Sequence, residues 1–375
     1  MKKICHITSV HKSNDVRIFL KECSSLANAG FETYLVATNC ESKVVNGVNI
    51  IGVQTTHSSE DRLSRIYYTS KKVFETALKV NADIYHIHDP ELLPYALKLK
   101  RKGKLVIYDV HEDVPKQILG KYWINKLLRT TVASFFKTYE NYVSKKLDYI
   151  ITATPFIRDR FLNTNSNCID INNYPLLNEL SEETDWKAKS NEICYIGGIT
   201  AIRGISELLD ALSLVENVKL HLAGNFSPEV YRNQIIMKPA WNKVIEYGFV
   251  NRQETAKIMA KSKAGIVTFL PMPNHVDAQP NKIFEYMSAG IPVIGSDFPL
   301  WKEIIENNNC GICIDPTNPK SIANAISLVL SDDEKAEQMG GNGRQVVLEK
   351  YNWGIEEKKL ITVYYNLLLK TSMSL

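Results

Sequence analysis

The 375-residue chain has no run of about 18 apolar residues, so no segment is suited to cross a bilayer as a helix. Cysteine is scarce. The seven thiols, at positions 5, 23, 40, 168, 194, 310 and 313, are odd in number and irregular in spacing. That excludes a disulfide-stapled scaffold and points to reduced thiols in a cytoplasmic protein. The one Cys-x-x-Cys, Cys310 to Cys313, has no second pair or nearby histidine and reads as strand cysteines rather than a metal or redox site. Charge of one sign is lacking too: 45 Lys+Arg against 41 Asp+Glu gives +4, too mild to imply nucleic-acid binding. No Gly-x-Gly-x-x-Gly fingerprint occurs, which argues against a dinucleotide oxidoreductase. Lys2 and Lys3 precede only the short apolar stretch Ile4 to Val10, interrupted by His6, too short for a secretory signal.

What is present is an alternation. Apolar runs at Lys2–Val10, Glu32–Thr38, Val48–Val53, Ala82–Asp89, Lys104–His111 and Tyr149–Thr154 are separated by longer helical stretches. The pattern restarts at Ile193–Gly198 and continues through Val218–Gly224, Val244–Val250, Ala264–Leu270, Pro292–Asp297 and Gly311–Asp315. Near-continuous apolar strands, rather than strictly alternating ones, predict parallel sheets covered on both faces. The fold class is therefore α/β, with two Rossmann-like doubly wound domains spanning 1–175 and 190–350. The polar stretch Asn172–Glu192 reads as the linker, and a C-terminal helix follows over 351–375.

Between Lys116 and Lys146 seven basic residues face one acid, Glu140. Ile124, Leu128, Val132, Phe135, Tyr139 and Val143 recur at helical spacing. Such a helix either packs its apolar face on the sheet with its lysines in water, or lies on an anionic membrane surface.

Ligands of open parallel sheets bind beyond the carboxyl ends of the strands. The first strand ends in a segment carrying His11, Asp15 and Arg17, where Asn14 or Asp15 can also cap the next helix. The fourth ends at His88 and Asp89, with Asp89 able to cap a helix from Pro90. The fifth ends at His111, Glu112 and Asp113. No local spacing demands a metal at His88, Asp89, His111 and Glu112, and hydrogen bonding to a hydroxyl-rich ligand is the preferred reading. In the second half, Gly197 and Gly198 allow close backbone approach, and Arg203 near a helix start favours a phosphate. Lys282 lies just inside another helix start, where a cation is unfavourable unless an anion binds. Glu285, one turn on, is placed to accept ribose hydroxyls, the alternative being a surface pair with Lys282.

These residues carry a resemblance. PNKIFEYMSAGIPVIGSDFPLW, YIGGITAIRGI, HIHDPELLP and YDVHEDVP together resemble the retaining nucleotide-sugar glycosyltransferases of family four, over essentially the whole chain. They look most like the bacterial branch that builds capsule, O-antigen and other surface polysaccharides. The resemblance implies the GT-B fold, two domains facing a cleft, with the terminal helix packing back on the first. It implies transfer with retention from a UDP- or GDP-type sugar to a saccharide or lipid-linked acceptor, without a metal or other cofactor. The family's two acids fall on Asp277 and Glu285, and Asn281 lies where its donor-binding glycine segment is replaced. Arg203 stands at the family's lysine, and Gly198 replaces its arginine, a charge Lys282 is expected to supply. His111 matches the histidine beside the donor sugar. Phe249 and Val250 are expected to border the base. His11, Asp15, Arg17, His88, Asp89 and Glu112 are expected on the acceptor side. The protein would be cytoplasmic, peripheral on the inner membrane face if 116–146 binds lipid. A nucleotide-sugar 2-epimerase, using Asp15, Asp89, Glu112 and Asp113, and a non-catalytic nucleotide-sugar-binding protein are the alternatives.

Overall fold

The computed structural model describes residues 1–55, 65–121, 124–177, 179–180, 182 and 185–372. It divides into two compact units. One comprises Met1–Asn173 together with the chain from Ile355 onward, the other Tyr174–Gly354.

The first unit is built on β1 (Lys3–Ile7), β2 (Glu32–Thr38), β3 (Lys43–Val45), β4 (Val48–Val53), β5 (Ile84–Ile87), β6 (Leu105–Val110), β7 (Tyr149–Thr152) and β8 (Cys168–Asp170). Their order is β3-β4-β2-β1-β5-β6-β7-β8. The central strands are apolar and buried because helices cover both faces. Cys5, Ile7, Val36 and Tyr85 face one core layer, and Leu35, Ala37 and Ile50 face the other with Ile18 and Phe19. The sheet is not wholly parallel: β3 runs antiparallel to β4. The reason is local. Asn46 and Gly47 have φ of 51° and 74°, the left-handed pair a two-residue hairpin turn requires.

The second unit is a parallel sheet of β9 (Glu192–Ile196), β10 (Lys219–Ala223), β11 (Val244–Gly248), β12 (Ala264–Val267), β13 (Val293–Ser296) and β14 (Gly311–Ile314), ordered β11-β10-β9-β12-β13-β14. The stretch read as a linker contributes to its core: Tyr174, Leu180 and Trp186 are buried there, and the Tyr174 ring lies 4.7 Å from that of Phe284. A polar average over Asn172–Glu192 concealed these spaced anchors.

The basic segment forms two helices, Val114–Gly120 and Lys126–Ser144. The longer one packs Ala133, Glu140 and Val143 inward and leaves Leu127, Leu128, Val132 and Phe135 exposed. The apolar stripe is thus split: Tyr139 and Val143 meet the core, Leu128, Val132 and Phe135 stay outside it, and Glu140 is drawn inside. Its carboxylate accepts from Arg160 Nη1 at 2.7 Å and from Tyr108 Oη at 3.0 Å. The final helix, Trp353–Ser372, places Tyr364 in the first unit, fully buried against His6 and His86.

Candidate functional site

In the second unit, the turn after β9 is made of glycine by necessity. Gly197 has φ of +136°, and a Cβ there would stand 2.6 Å from Lys282 Nζ. At Gly198 a Cβ would stand 3.4 Å from Arg203 Nη1. The two cations therefore converge on this bare turn. Arg203 Nη1 donates to the Gly198 carbonyl at 3.2 Å, and its guanidinium lies 5.1 Å from the Phe269 ring centre. Lys282 opens the helix Asn281–Ser288, is buried, and donates to Tyr195 Oη at 3.2 Å. Burial, and then the neighbouring Arg203, pull the Lys282 ammonium well below the ordinary lysine range. Its helix has Pro280 at the N-cap with no side-chain cap, so the positive end is left to a ligand or solvent. Two close cations that pair with no carboxylate among the described residues make a site for a multiply charged anion.

Glu285 follows Lys282 by one turn and is held by a residue that the sequence did not single out. Arg252 Nη1 donates to Glu285 Oε1 at 2.6 Å, while its Nε and Nη2 grip both oxygens of Glu179 at 2.8 and 2.7 Å. This clamp leaves Glu285 Oε2 as an acceptor. The surface pairing with Lys282 considered from spacing is replaced by Arg252. Asp277 is half-buried in the loop before the helix, where Ala278 O accepts from Trp301 Nε1 at 2.7 Å. Asn281 is exposed on the first turn. Phe249 is exposed beyond β11 while Val250 packs on the core, two strands away from the glycine turn.

In the first unit, the ends of β1, β5 and β6 gather His11, Asp15, His88, Asp89 and His111. His11 Nδ1 lies 3.4 Å from Asp15 Oδ2, and its Nε2 lies 3.5 Å from Asp89 Oδ1. Its ring is 4.9 Å from that of His111. Burial opposes the charge on Asp15, but the His11 bond and the Ile18 amide prevail and hold its pKa well below the carboxylate range. Burial also opposes charge on His11, and the Asp15 bond with the Asp89 field outweighs it, raising its pKa. His111 Nε2 lies 3.0 Å from Asp109 Oδ2 and remains partly exposed.

Four expectations need correction. Arg17 does not line an open surface. It is 4% exposed, donating Nε and Nη2 to Asp109 at 2.9 and 2.8 Å and Nη1 to Ile171 O at 2.7 Å. Breaking such a buried pair costs about 3–5 kcal/mol, a large part of a domain's stability, so Arg17 is structural. Asp89 does not cap the turn at Pro90. Its Oδ2 accepts from Thr8 Oγ1 at 2.9 Å and the Ser9 amide at 2.6 Å, tying down the loop after β1. His88, expected on the acceptor side, is buried behind His111 with its Nδ1 3.1 Å from His111 Nε2, whereas Glu112 is exposed and Asp113 caps the helix Val114–Gly120. Asp109, an acid inside an apolar strand, went unremarked, although that placement alone marks a buried polar network.

Two doubly wound units, one ending in a cationic glycine turn backed by an acid one helical turn away, define the GT-B class of proteins. Residues 17–167 match the family model "Glycosyltransferase Family 4", and residues 178–346 match "Glycosyl transferases group 1". The chain belongs to the family-4-type glycosyltransferases. It is 31% identical over 176 residues to an uncharacterized glycosyltransferase, MJ1607, of Methanocaldococcus jannaschii, a match covering 46% of this chain and 44% of that relative. It is 24% identical to the capsular polysaccharide biosynthesis glycosyltransferase CapM of Staphylococcus aureus, over 67% of each chain. Among solved structures, sucrose-phosphate synthase from Thermosynechococcus elongatus superposes with a TM-score of 0.81 at 17% identity, over 99% of this chain and 100% of that one. Anabaena HepE in complex with UDP-glucose does so at 0.75 and 14% identity, over 98% and 100%. At these identities the structural likeness establishes the fold.

Proposed function

We propose that the protein transfers a glycosyl group from a nucleoside-diphosphate sugar, with retention at the anomeric carbon, to a saccharide or lipid-linked acceptor in bacterial surface-polysaccharide synthesis. The observation that carries the reading is the convergence of Arg203 and Lys282 on Gly197–Gly198, one helical turn from the clamped Glu285. The diphosphate rests on the glycine turn, and Glu285 Oε2 accepts from the ribose. As the sugar leaves, negative charge grows on the diphosphate, and Arg203, Lys282 and the uncapped helix end stabilise it. That positioned charge does the work a divalent ion does elsewhere, so no metal is assigned to the transfer step. On the first unit, His111, backed by Asp109, offers a hydrogen bond to a sugar hydroxyl. His11 and Asp15 supply further acceptor contacts, with buried Asp89 holding His11 in place. UDP or GDP is the donor class, a reading supported by HepE in its UDP-glucose complex and by 30% identity over 76 residues to a GDP-mannose-dependent alpha-(1-6)-phosphatidylinositol monomannoside mannosyltransferase of Mycobacterium tuberculosis.

The acceptor side favours a membrane location. Among the described residues no helix is long and apolar enough to span a membrane. The helix Lys126–Ser144, however, exposes Leu127, Leu128, Val132 and Phe135, with Lys137, Lys145 and Lys146 also in water. Apolar side chains ringed by lysines suit the inner, anionic face of a cytoplasmic membrane.

The test is transfer by Arg203→Ala and Lys282→Ala, with the donor first fixed by thermal shift against UDP-, GDP- and dTDP-sugars. Each variant is expected to lose roughly 100-fold or more in turnover while keeping its fold. Unchanged turnover in both would remove the phosphate assignment. Donor incubated without acceptor must stay unepimerised.

A further inference from the structure

Behind His111 lies a second group of side chains that the transfer chemistry does not use. His6 on β1 sits in register with His86 on β5. His88 is two residues further on, just beyond the end of β5 with its amide still bonded to Ile7 O, so all three imidazoles stand on one face of the sheet. All three are buried, with ring centres 4.5 to 5.1 Å apart. Glu22, on the π-type helix Val16–Cys23, is fully buried against them. One donor atom from each of these four residues lies within 4.8 Å of the others.

We propose that His6, Glu22, His86 and His88 form a binding site for one divalent transition-metal ion of the zinc type, enclosed in the first unit.

Three observations carry this. The first is unsatisfied polarity: both Glu22 oxygens and His86 Nε2 are buried without a hydrogen-bond partner, although burial without one is costly. The second is spacing. His6 Nδ1 and His88 Nε2 are 2.9 Å apart, and Glu22 Oε2 lies 3.8 and 3.9 Å from them. The last two separations are too long for hydrogen bonds. A tetrahedral ion with bonds of about 2.0–2.1 Å holds its donors about 3.3–3.4 Å apart, so small shifts close the site. The third is the outer shell. A histidine ligand needs an acceptor for its remaining N–H. His86 Nδ1 and His6 Nε2 lie 2.7 and 3.2 Å from Tyr364 Oη, whose two lone pairs can accept both. His88 Nδ1 lies 3.3 Å from Asp109 Oδ2. Glu22 Oε1 is 3.1 Å from Arg17 Nε, an ionic contact that turns Oε2 toward the histidines. All four ligands are thereby oriented.

Charge agrees. Two buried carboxylates, Glu22 and Asp109, face one guanidinium, Arg17, leaving an excess negative charge. A proton on Glu22, shared with Asp109, would cancel that charge but leave His86 Nε2 without a partner, whereas a cation satisfies both. Three nitrogens and one carboxylate oxygen select zinc-type ions over magnesium or calcium. A site with four protein ligands is closed, so its role is to lock β1, β5 and the Val16–Cys23 helix together, beneath Tyr364.

The experiment measures metal in the full-length protein, produced with zinc in the medium and desalted. About one zinc per chain is expected. Stripping with chelator should lower the thermal midpoint, zinc should restore it, and Co2+ in its place should give the strong visible absorption of a four-coordinate ion. Glu22→Gln and His86→Gln should each cut occupancy at least tenfold with circular dichroism unchanged, and His111→Ala should retain the metal. Reconstituted wild type holding less than about 0.1 zinc per chain, without the Co2+ spectrum, overturns the proposal whatever the variants do. Full occupancy in His86→Gln overturns it too, as does loss in His111→Ala with retention in His86→Gln, which moves the ion to His88, Asp109 and His111.

Discussion

Lys282 is a lysine kept where its charge is least comfortable, buried and beside Arg203. Its pKa, lowered by burial and by Arg203, should rise again when a diphosphate binds beside it. Between the free and bound pKa values, binding is coupled to proton uptake, and affinity falls as pH rises through that window. Folding has the opposite slope: the unfolded chain holds this proton more tightly, so stability gains as pH rises from the lowered value toward the ordinary lysine range. Calorimetry with UDP in two buffers of different ionisation enthalpy should reveal uptake that Lys282→Met abolishes. Equal apparent enthalpies in wild type would contradict it. Gly197→Ala makes a paired prediction. Its φ of +136° and the Lys282 ammonium 2.6 Å from the new carbon combine strain with displacement of the cation. A tenfold or greater loss of UDP affinity is expected, measured against a thermal midpoint only a few degrees lower. At this scale the sequence was informative about Lys282, Arg203 and Gly197, because a cation at a helix start and glycines after a strand are local signals. Arg252 and Glu179 were invisible: Arg252 meets Glu285 and Glu179 only through folding, from positions 33 and 73 residues away in the chain.

Among the elements, the helix Lys126–Ser144 departs most from its pattern. The spacing that put Leu128, Val132 and Phe135 on an inward stripe was sound helical arithmetic. What it missed was Glu140, buried against Arg160 and Tyr108, and that only the later part of the stripe, Tyr139 and Val143, reaches the core. Leu127→Glu with Phe135→Glu should lower binding to vesicles of anionic lipid at least tenfold in sedimentation, with no loss of stability, because both positions are exposed. Equal sedimentation of variant and wild type would disfavour a lipid surface there. The parallel strands other than the three-residue β8 were legible because each is a short apolar run. β3 was not, although Asn46-Gly47 between Val45 and Val48 is a strong hairpin signal. The histidines of β1 and β5 were passed over for another reason. One polar residue within KICHI or IYHI looks like tolerated filler until strand register brings them together.

For the whole molecule, two separate cores imply two responses to ligand. UDP should slow amide exchange at the turn after Ile196 and at the start of the helix Asn281–Ser288, within the unit Tyr174–Gly354. Hydrogen-exchange mass spectrometry with UDP alone reads this directly. Protection confined to the unit carrying His111 would place the nucleotide elsewhere.

The passage of Ile355 and its successors back into the first unit also sets an order of events on the ribosome. Tyr174–Gly354 is one uninterrupted stretch and can complete its fold during synthesis, since domains generally fold as units. The earlier half cannot seat Tyr364 over His6 and His86 until translation has passed the later half. The N-terminal half therefore waits unfinished until Tyr364 arrives, and a chain truncated after Gly354 should hold a complete second unit beside an open histidine pocket.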